Sequence, residues 1–107
     1  MTFKITYTAQ AQQDLQSIHT YIHDVLLEPE TAKKQLRRII DTVKSLNQMP
    51  FRHTLYDHEP WYSLGFRVVP ADNFLIFYLP NEDDGTVSIA RVIYGGRNIP
   101  AQLETTE

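Results

Sequence analysis

The chain has 107 residues, of which 42% are hydrophobic, with a formal net charge of −3 and no cysteine. This length predicts a single domain over residues 1–107. The lack of cysteine excludes disulfides, thiolate zinc sites and cysteine nucleophiles, and is typical of the reducing cytoplasm, where we expect the protein. The N-terminus lacks the apolar core of a signal peptide, and the longest apolar run, residues 74–79, is too short to cross a bilayer, so we expect no membrane partner.

The first third of the sequence predicts a strand followed by a helical hairpin. Residues 3–7 alternate apolar and polar side chains, as in a half-buried strand. Thr8 is a suitable N-cap for an amphipathic helix that starts at Ala9, on which Asp14 is expected to face solvent. A second amphipathic helix opens at residues 28–30 and ends at residues 49–50, since proline suits a first helical turn and the pre-proline position disfavours helix.

The second half predicts a sheet. Residues 66–69, 74–79 and 86–94 are predicted as three strands joined by short turns, which favours antiparallel pairing. Residues 51–64 are irregular, and residues 98–107 are expected to fray. Because the strand at 74–79 is apolar on both faces, it should be central, with its second face covered by a protein partner or by strong curvature of the sheet.

The last predicted strand contains an arginine where burial is expected. Arg91 has apolar neighbours on both sides, so its guanidinium needs an anion or a protein partner. Tyr94, a pair of glycines and Arg97 follow it. This cluster at the end of a sheet is a candidate phosphate or nucleic-acid site.

The order of elements resembles the RelE/ParE superfamily of toxins from bacterial type II toxin–antitoxin modules. The similarity runs from about Ile5 to Ile99 and is carried by several short segments in the expected order, namely residues 11–15, 29–32, 46–50, 65–67, 74–78 and 87–98. It implies an α+β fold with an N-terminal strand, an antiparallel helical hairpin and a three-stranded antiparallel meander that completes one small curved sheet.

The branches of this superfamily differ in their targets. RelE-like members cleave mRNA on the ribosome, whereas ParE-like members poison DNA gyrase without acting as nucleases. Both are neutralised by a small antitoxin, which usually binds the operator DNA as well. The resemblance therefore implies a cognate antitoxin, contact with operator DNA only through that antitoxin, and neither cofactor nor metal.

Two arginines match the positions at which RelE-like enzymes clamp phosphate. Arg67 and Arg91 are the candidates, because the planar guanidinium matches phosphate oxygens. The structural alternative for each is a salt bridge, for example to Asp72 or Glu59.

Tyr94 occupies the position where many relatives place histidine or tyrosine, and is predicted either to stack on a base or orient the scissile phosphate, or simply to pack on its neighbours. His53 is the candidate general base, although RelE has lysines in its corresponding segment and a loop histidine is often idle. Glu59 is an alternative base.

Further basic residues are candidates for RNA or phosphate contacts: Arg97, Arg52, Lys33 and Arg37. The alternative for the helical pair Lys33 and Arg37 is a solvated helix face. Two other groups have structural alternatives that we favour. The aromatic cluster of Tyr56, Trp61 and Tyr62 is expected to plug one end of the core rather than to stack on bases. The pair His19 and His23 is expected to lie on a solvated helix face rather than to bind a metal.

Together these features favour a type II toxin that acts as a ribosome-dependent mRNA interferase, with the ribosome and mRNA as partners. A ParE-type gyrase poison is the alternative, because no convincing general base is evident. A degenerate toxin that only binds its antitoxin is a third hypothesis.

Overall fold

The computed structural model describes residues 2–96 and 98–104. Its elements are β1 (Lys4–Tyr7), α1 (Ala9–Thr20) with a π-helical extension (Tyr21–Val25), α2 (Pro29–Ser45), a 3₁₀ turn (Pro50–Arg52), α3 (Trp61–Leu64), β2 (Arg67–Ala71), β3 (Phe74–Asn81), β4 (Thr86–Tyr94) and α4 (Ile99–Leu103). The four strands form one sheet in the order β1-β4-β3-β2. The predicted α+β fold is confirmed, with a mixed sheet in which β1 runs parallel to β4 and the other pairs are antiparallel.

The helical hairpin forms as the sequence predicts, except that α2 ends at Ser45 and not at residues 49–50. The hydroxyl oxygen of Thr8 accepts a hydrogen bond of 3.0 Å from the Ala11 N–H, which satisfies a free amide of the first turn of α1. Pro29 occupies the first turn of α2, where its missing N–H costs nothing. Helix α2 buries Ala32, Ile39 and Val43, so the predicted apolar stripe faces the core.

The main core lies between the hairpin and one face of the sheet. It contains Ile39 and Val43 of α2 packed with Ile76, Tyr78 and Ile89 of the sheet. We call this side of the sheet the helical face. Because β1 and the two helices come before β2 to β4 in the chain, this core joins the two halves of the sequence.

A bulge in β4 changes which side chains reach each face. Tyr78 pairs with Ile89, but its neighbour Phe77 pairs with Arg91, so Ala90 has no partner on β3. An extra residue in one strand shifts the alternation of side chains beyond it. Ile89 therefore packs in the helical-face core, whereas Ile93 packs with Phe77 on the opposite face. As a result β4 is buried continuously from Ile89 to Ile93.

The second face of the sheet is covered by the chain itself. Phe77 packs there with Tyr56 and Trp61 from the loop region and with Leu103 of α4, and the Tyr56 and Phe77 ring centroids are 5.1 Å apart. A partner or strong curvature of the sheet is therefore not needed to cover this part of the face, because these segments supply apolar side chains of the chain itself. The predicted plug role of the aromatic cluster holds for Tyr56 and Trp61, while Tyr62 is 46% exposed.

The expected frayed tail is wrong for its described part. Residues 99–103 form α4, in which Leu103 is only 4% exposed. The Asn98 side chain caps this helix by accepting a hydrogen bond from the Ala101 N–H. Burial of Leu103 supplies the free energy that offsets the entropy of ordering the segment.

A buried ion pair joins α1, β4 and α4. Asp14 was expected to face solvent, but its side chain is only 11% exposed and that of Arg91 only 5%. Asp14 Oδ2 accepts from Arg91 Nε at 2.7 Å, and Oδ1 accepts from Nη2 at 3.0 Å. Arg91 Nη1 donates to the Gln102 carbonyl at 2.7 Å, and Asp14 Oδ2 also accepts from the Val92 N–H at 3.0 Å. This carboxylate thus accepts a backbone hydrogen bond from the part of β4 that extends past the end of β1 and has no neighbouring strand on that side in the described chain.

We predict that Asp14→Ala lowers the free energy of unfolding by about 3–5 kcal/mol, because it leaves a guanidinium buried without its anion. The double variant Asp14→Leu, Arg91→Met should lose clearly less than the single variant, since both charges are removed together. Urea unfolding followed by circular dichroism measures both values. A loss below about 1 kcal/mol for Asp14→Ala would contradict the structural role of the pair.

Candidate functional site

A group of basic and apolar residues lies where α2 ends and β2 begins. We call it the cationic corner and define it as Met49, Phe51, Arg52, His53 and Arg67. It exists because the chain turns sharply after α2, through Met49 in the left-handed conformation (φ 49°), into the 3₁₀ turn Pro50–Arg52. The turn is fixed to the sheet by the Tyr78 hydroxyl, which donates to the Pro50 carbonyl at 2.6 Å.

Arg67 opens β2 and points into this corner. Its Nη1 donates to the carbonyls of Phe51 at 3.1 Å and His53 at 2.6 Å. Its guanidinium carbon lies 5.2 Å from the centroid of the Phe51 ring, a distance suited to a cation–π contact. The salt-bridge alternative for Arg67 is not realised, because Asp72 pairs with Arg38 and Glu59 is bonded to Ser63.

Arg52 serves the end of α2. Its Nη1 donates to the Gln48 carbonyl at 2.6 Å and the Met49 carbonyl at 3.1 Å, and both terminal nitrogens reach the Ser45 carbonyl at 3.3 Å. A cation at a helix C-terminus satisfies free carbonyls and opposes the helix dipole. The predicted phosphate contact of Arg52 therefore competes with a structural role that already occupies both of its terminal nitrogens.

The surroundings of His53 in this corner favour its neutral imidazole. Its Nε2 is buried and has no hydrogen-bond partner among the described residues. Its ring stands edge-on to Tyr78, with centroids 6.3 Å apart. Burial, and then the charge of Arg52, lower the pKa of the imidazole. Burial raises the pKa of Tyr78 to about 12, with Arg67 and Arg52 opposing the rise, so this phenol keeps its proton.

The structure does not bring the two predicted phosphate-clamping arginines together. Arg67 pairs with Tyr78, whose side chain is in the helical-face core, while Arg91 pairs with Phe77, whose side chain is on the opposite face. Cross-strand partners share a face and consecutive residues alternate, so the two arginines lie on opposite sides of the sheet. Arg91 is moreover 4% exposed and bonded to Asp14, so the salt-bridge alternative is realised for this residue, with Asp14 as the partner.

Tyr94 lies apart from the cationic corner. It pairs with Phe74, four residues along β3 from the partner of Arg67, which corresponds to about 13 Å. Its ring is 47% exposed and contacts the Phe74 ring edge-on, with centroids 5.9 Å apart. A Cβ on Gly96 would come within 2.6 Å of this ring, so glycine allows the ring to lie against the backbone.

Tyr94 borders a cleft of about 770 Å³ between α1 and the end of β4. The buried pair of Asp14 and Arg91 lies among its lining residues, together with apolar side chains that include Ile18 and Tyr21. The cleft therefore offers apolar contacts and an internally neutralised ion pair. The predicted contact Arg97 follows Gly96 but lies outside the described residues.

The predicted contacts on α2 remain on the surface. Lys33 and Arg37 are exposed on successive turns and make no ion pair with any described residue. Their neighbour Arg38 donates to Asp72 at 3.0 Å. Lys33 and Arg37 therefore stay a candidate contact surface, separate from the cationic corner.

The histidine pair on α1 is stacked, with ring centroids of His19 and His23 5.3 Å apart. The His23 Nδ1 lies 2.7 Å from Asp24 Oδ1. Within residues 2–96 and 98–104, no three acidic or histidine side chains come together in a way that would hold a metal ion. In the same ranges no helix is both long and apolar enough to cross a membrane.

Asp14 is the residue that sequence reasoning missed. Its spacing carried a usable signal, since it lies three residues after Ala11 and four before Ile18, both on the apolar stripe of α1. A carboxylate on a buried stripe requires a cation, and Arg91 was the cation without a partner. The exposure of Met49 and Phe51 carried no comparable signal, because it depends on the turn after α2.

Comparison with known proteins identifies a family to which the sequence is similar. The sequence model of the family described as the ParE toxin of the type II toxin–antitoxin system, parDE, matches residues 5–99. No functionally curated protein matched the chain significantly.

Several solved structures share its fold, among them the following three. The chromosomal ParDE system of P. aeruginosa is 24% identical, with a TM-score of 0.70 over 87% of this chain and 96% of that chain. The RelBE2 toxin–antitoxin complex of Mycobacterium tuberculosis is 18% identical, with a TM-score of 0.65 over 88% and 99%. The archaeal RelE–RelB complex of Pyrococcus horikoshii OT3 is 17% identical, with a TM-score of 0.59 over 91% and 99%.

These identities support a shared fold, and the family match supports more, because it spans nearly the whole chain and both halves of the sheet. The chain therefore belongs to the ParE toxin family of type II toxin–antitoxin systems.

Proposed function

We propose that this toxin acts by binding DNA gyrase and that it does not cleave RNA. The observation that carries the proposal is the separation of Arg67 from Arg91, together with the internal neutralisation of Arg91 by Asp14. The family match favours the same branch, because ParE-like toxins are those that the resemblance associates with gyrase.

Metal-free RNA cleavage needs stabilisation of the phosphorane charge and a base for the 2′-hydroxyl. In this chain the two arginines that would share the first task leave the sheet from opposite faces, and the Arg91 guanidinium is bonded to Asp14 of α1. Arg91 would have to leave both Asp14 and Gln102 before it could bind phosphate. Because that would leave the Asp14 carboxylate buried without its cation, the arrangement disfavours an RNA clamp.

The base is equally hard to assign. The free nitrogen of His53, Nε2, is buried, so a ribose hydroxyl cannot reach it in this arrangement. Glu59 accepts from both the hydroxyl and the N–H of Ser63, and these bonds lower its pKa, which makes it a weaker base. Tyr94 is exposed, but it lies about four residues along the sheet from Arg67, so it does not supply the missing base beside that arginine.

The hairpin offers a surface suited to a protein target. Its tip, which we define as Tyr21, Val25, Leu26 and Leu27, has exposed fractions of 55%, 63%, 51% and 77%. Large apolar side chains grouped on a surface mark protein contacts. The tip therefore provides a gyrase-facing surface that requires no catalytic group.

The mRNA interferase hypothesis keeps one favourable observation, the charge of Arg67. This guanidinium has no carboxylate partner among the described residues and lies beside Arg52 and His53. Cleavage on the ribosome would then rely on groups of the ribosome for the missing base. A toxin that only binds its antitoxin would show neither activity.

We expect the purified toxin to inhibit supercoiling of relaxed plasmid by gyrase or to accumulate cleaved plasmid. Val25→Ser with Leu26→Ser should weaken this effect at least about tenfold, because the apolar contact area is removed. Primer extension on mRNA from cells expressing the toxin should reveal no new ends. Cuts at codon positions with gyrase unaffected would instead establish the interferase, and normal growth without either effect would establish the degenerate toxin.

The state of His53 is testable separately. Its folded-state pKa lies below the ordinary value of 6.5, so the unfolded chain binds the proton more tightly. Stability should consequently fall as the pH drops below 6.5 towards the lowered pKa, and level off below it. His53→Gln should remove that part of the pH dependence in urea unfolding at several pH values. An NMR titration of the ring with a midpoint at or above 6.5 would contradict burial of a neutral imidazole.

A further inference from the structure

The cationic corner exposes apolar side chains at a strained turn. Met49 is 73% exposed and Phe51 is 43% exposed. Met49 is also one of three non-glycine residues with positive φ in the described chain, at φ 49°. A left-handed conformation is unfavourable for a methionine, and residues strained in this way are found more often at binding and functional sites than elsewhere.

Positive charge lies directly behind these apolar groups. Arg52 and Arg67 form no salt bridge with a described residue, and Arg67 stacks against the Phe51 ring. Their charges are consequently not balanced locally, in a chain whose formal net charge is −3. The corner is a positive area on an otherwise acidic protein, and it will attract acidic groups.

The hydrogen bonds distinguish between two classes of acidic partner. Arg52 uses both terminal nitrogens on carbonyls of Ser45, Gln48 and Met49. Arg67 uses Nη1 on two further carbonyls, and its Nε is buried without a hydrogen-bond partner among the described residues. Neither arginine presents an accessible fork that could grip a phosphate or a carboxylate at two points, so the exposed apolar side chains have to supply much of the contact, and a nucleic-acid backbone offers them no anchor. Apolar anchors with a positive field behind them instead suit a peptide that carries apolar and acidic side chains.

We infer that the cationic corner is a docking surface for the antitoxin, and that it takes an acidic segment with an apolar anchor. Met49 and Phe51 contact the anchor, while Arg52 and Arg67 attract the neighbouring carboxylates through their field. The inference rests on membership of a toxin–antitoxin family and not on gyrase as the target. Failure of one assay therefore leaves the other interpretable.

The test compares two variants of similar apolar loss at opposite ends of helix α2. Met49→Ser with Phe51→Ser alters the corner, and Val25→Ser with Leu26→Ser alters the hairpin tip. Binding of each to the purified product of the antitoxin gene beside the toxin gene is measured by calorimetry, after circular dichroism has confirmed folding. The corner variant should bind at least about tenfold more weakly, and the tip variant within about twofold of the unaltered chain.

Ionic strength separates the two parts of the contact. Raising it from about 0.1 M to about 1 M shortens the screening length from about 10 Å to about 3 Å. Affinity of the unaltered toxin for the antitoxin should then fall several-fold. A photo-reactive phenylalanine analogue introduced at Met49 should form a cross-link to the antitoxin in the intact complex.

Three results would overturn the inference. They are unchanged antitoxin affinity in the corner variant, equal loss in both variants, and absence of the cross-link. Binding of fluorescent single-stranded RNA or duplex DNA is measured alongside. Loss of that binding in the corner variant, with antitoxin affinity intact, would assign the corner to nucleic acid instead.

Discussion

The contact between Asp14 and Arg91 is the interaction on which the rest of this structure depends. Four hydrogen bonds from one carboxylate and one guanidinium join α1, the edge of β4 and the carbonyl of Gln102 in α4. Each partner removes the penalty of burying the other. The pair also bears on the chemistry of the protein, because Arg91, a candidate for phosphate binding, is bonded within the fold.

The bulge at Ala90 gives that contact its geometry. Had the strand alternated regularly beyond Ile89, Arg91 would have entered the helical-face core among aliphatic side chains. The extra residue places it instead on the side of Phe77, within reach of α4. The same shift directs Ile93 into the second apolar cluster, which Tyr56, Trp61 and Leu103 complete. One irregularity thereby allows a 107-residue chain to bury both faces of its central strands.

Three separate areas of the protein's surface differ in charge and polarity. The cationic corner combines unbalanced guanidiniums with exposed Met49 and Phe51, whereas the hairpin tip is apolar. The cleft beside Tyr94 contains an ion pair that is already neutral. A protein that recognises other proteins can use such separate areas independently, while a nuclease must converge several charged groups on one phosphate.

Much of the architecture follows from local patterns that the sequence displays directly. Thr8, Pro29 and the apolar stripes fix where the helices start and which side they bury, and the strand Thr86–Tyr94 has the predicted bounds. These features depend on neighbours within a few residues, so they can be read in one dimension. The resemblance to RelE/ParE toxins likewise rests on short segments in order, and the family match agrees with it.

The contact between Asp14 and Arg91 could not be predicted from local patterns, because the two residues lie 77 positions apart in the chain. The sequence by itself determined the four strands, the helical hairpin, the toxin family and the presence of an arginine that needed an anion. Only the tertiary structure decided which anion it found, on which face it lay, and that Arg67 was left on the other. The physical reason is that a one-residue bulge reverses the side-chain alternation, and no local pattern records whether a strand contains one.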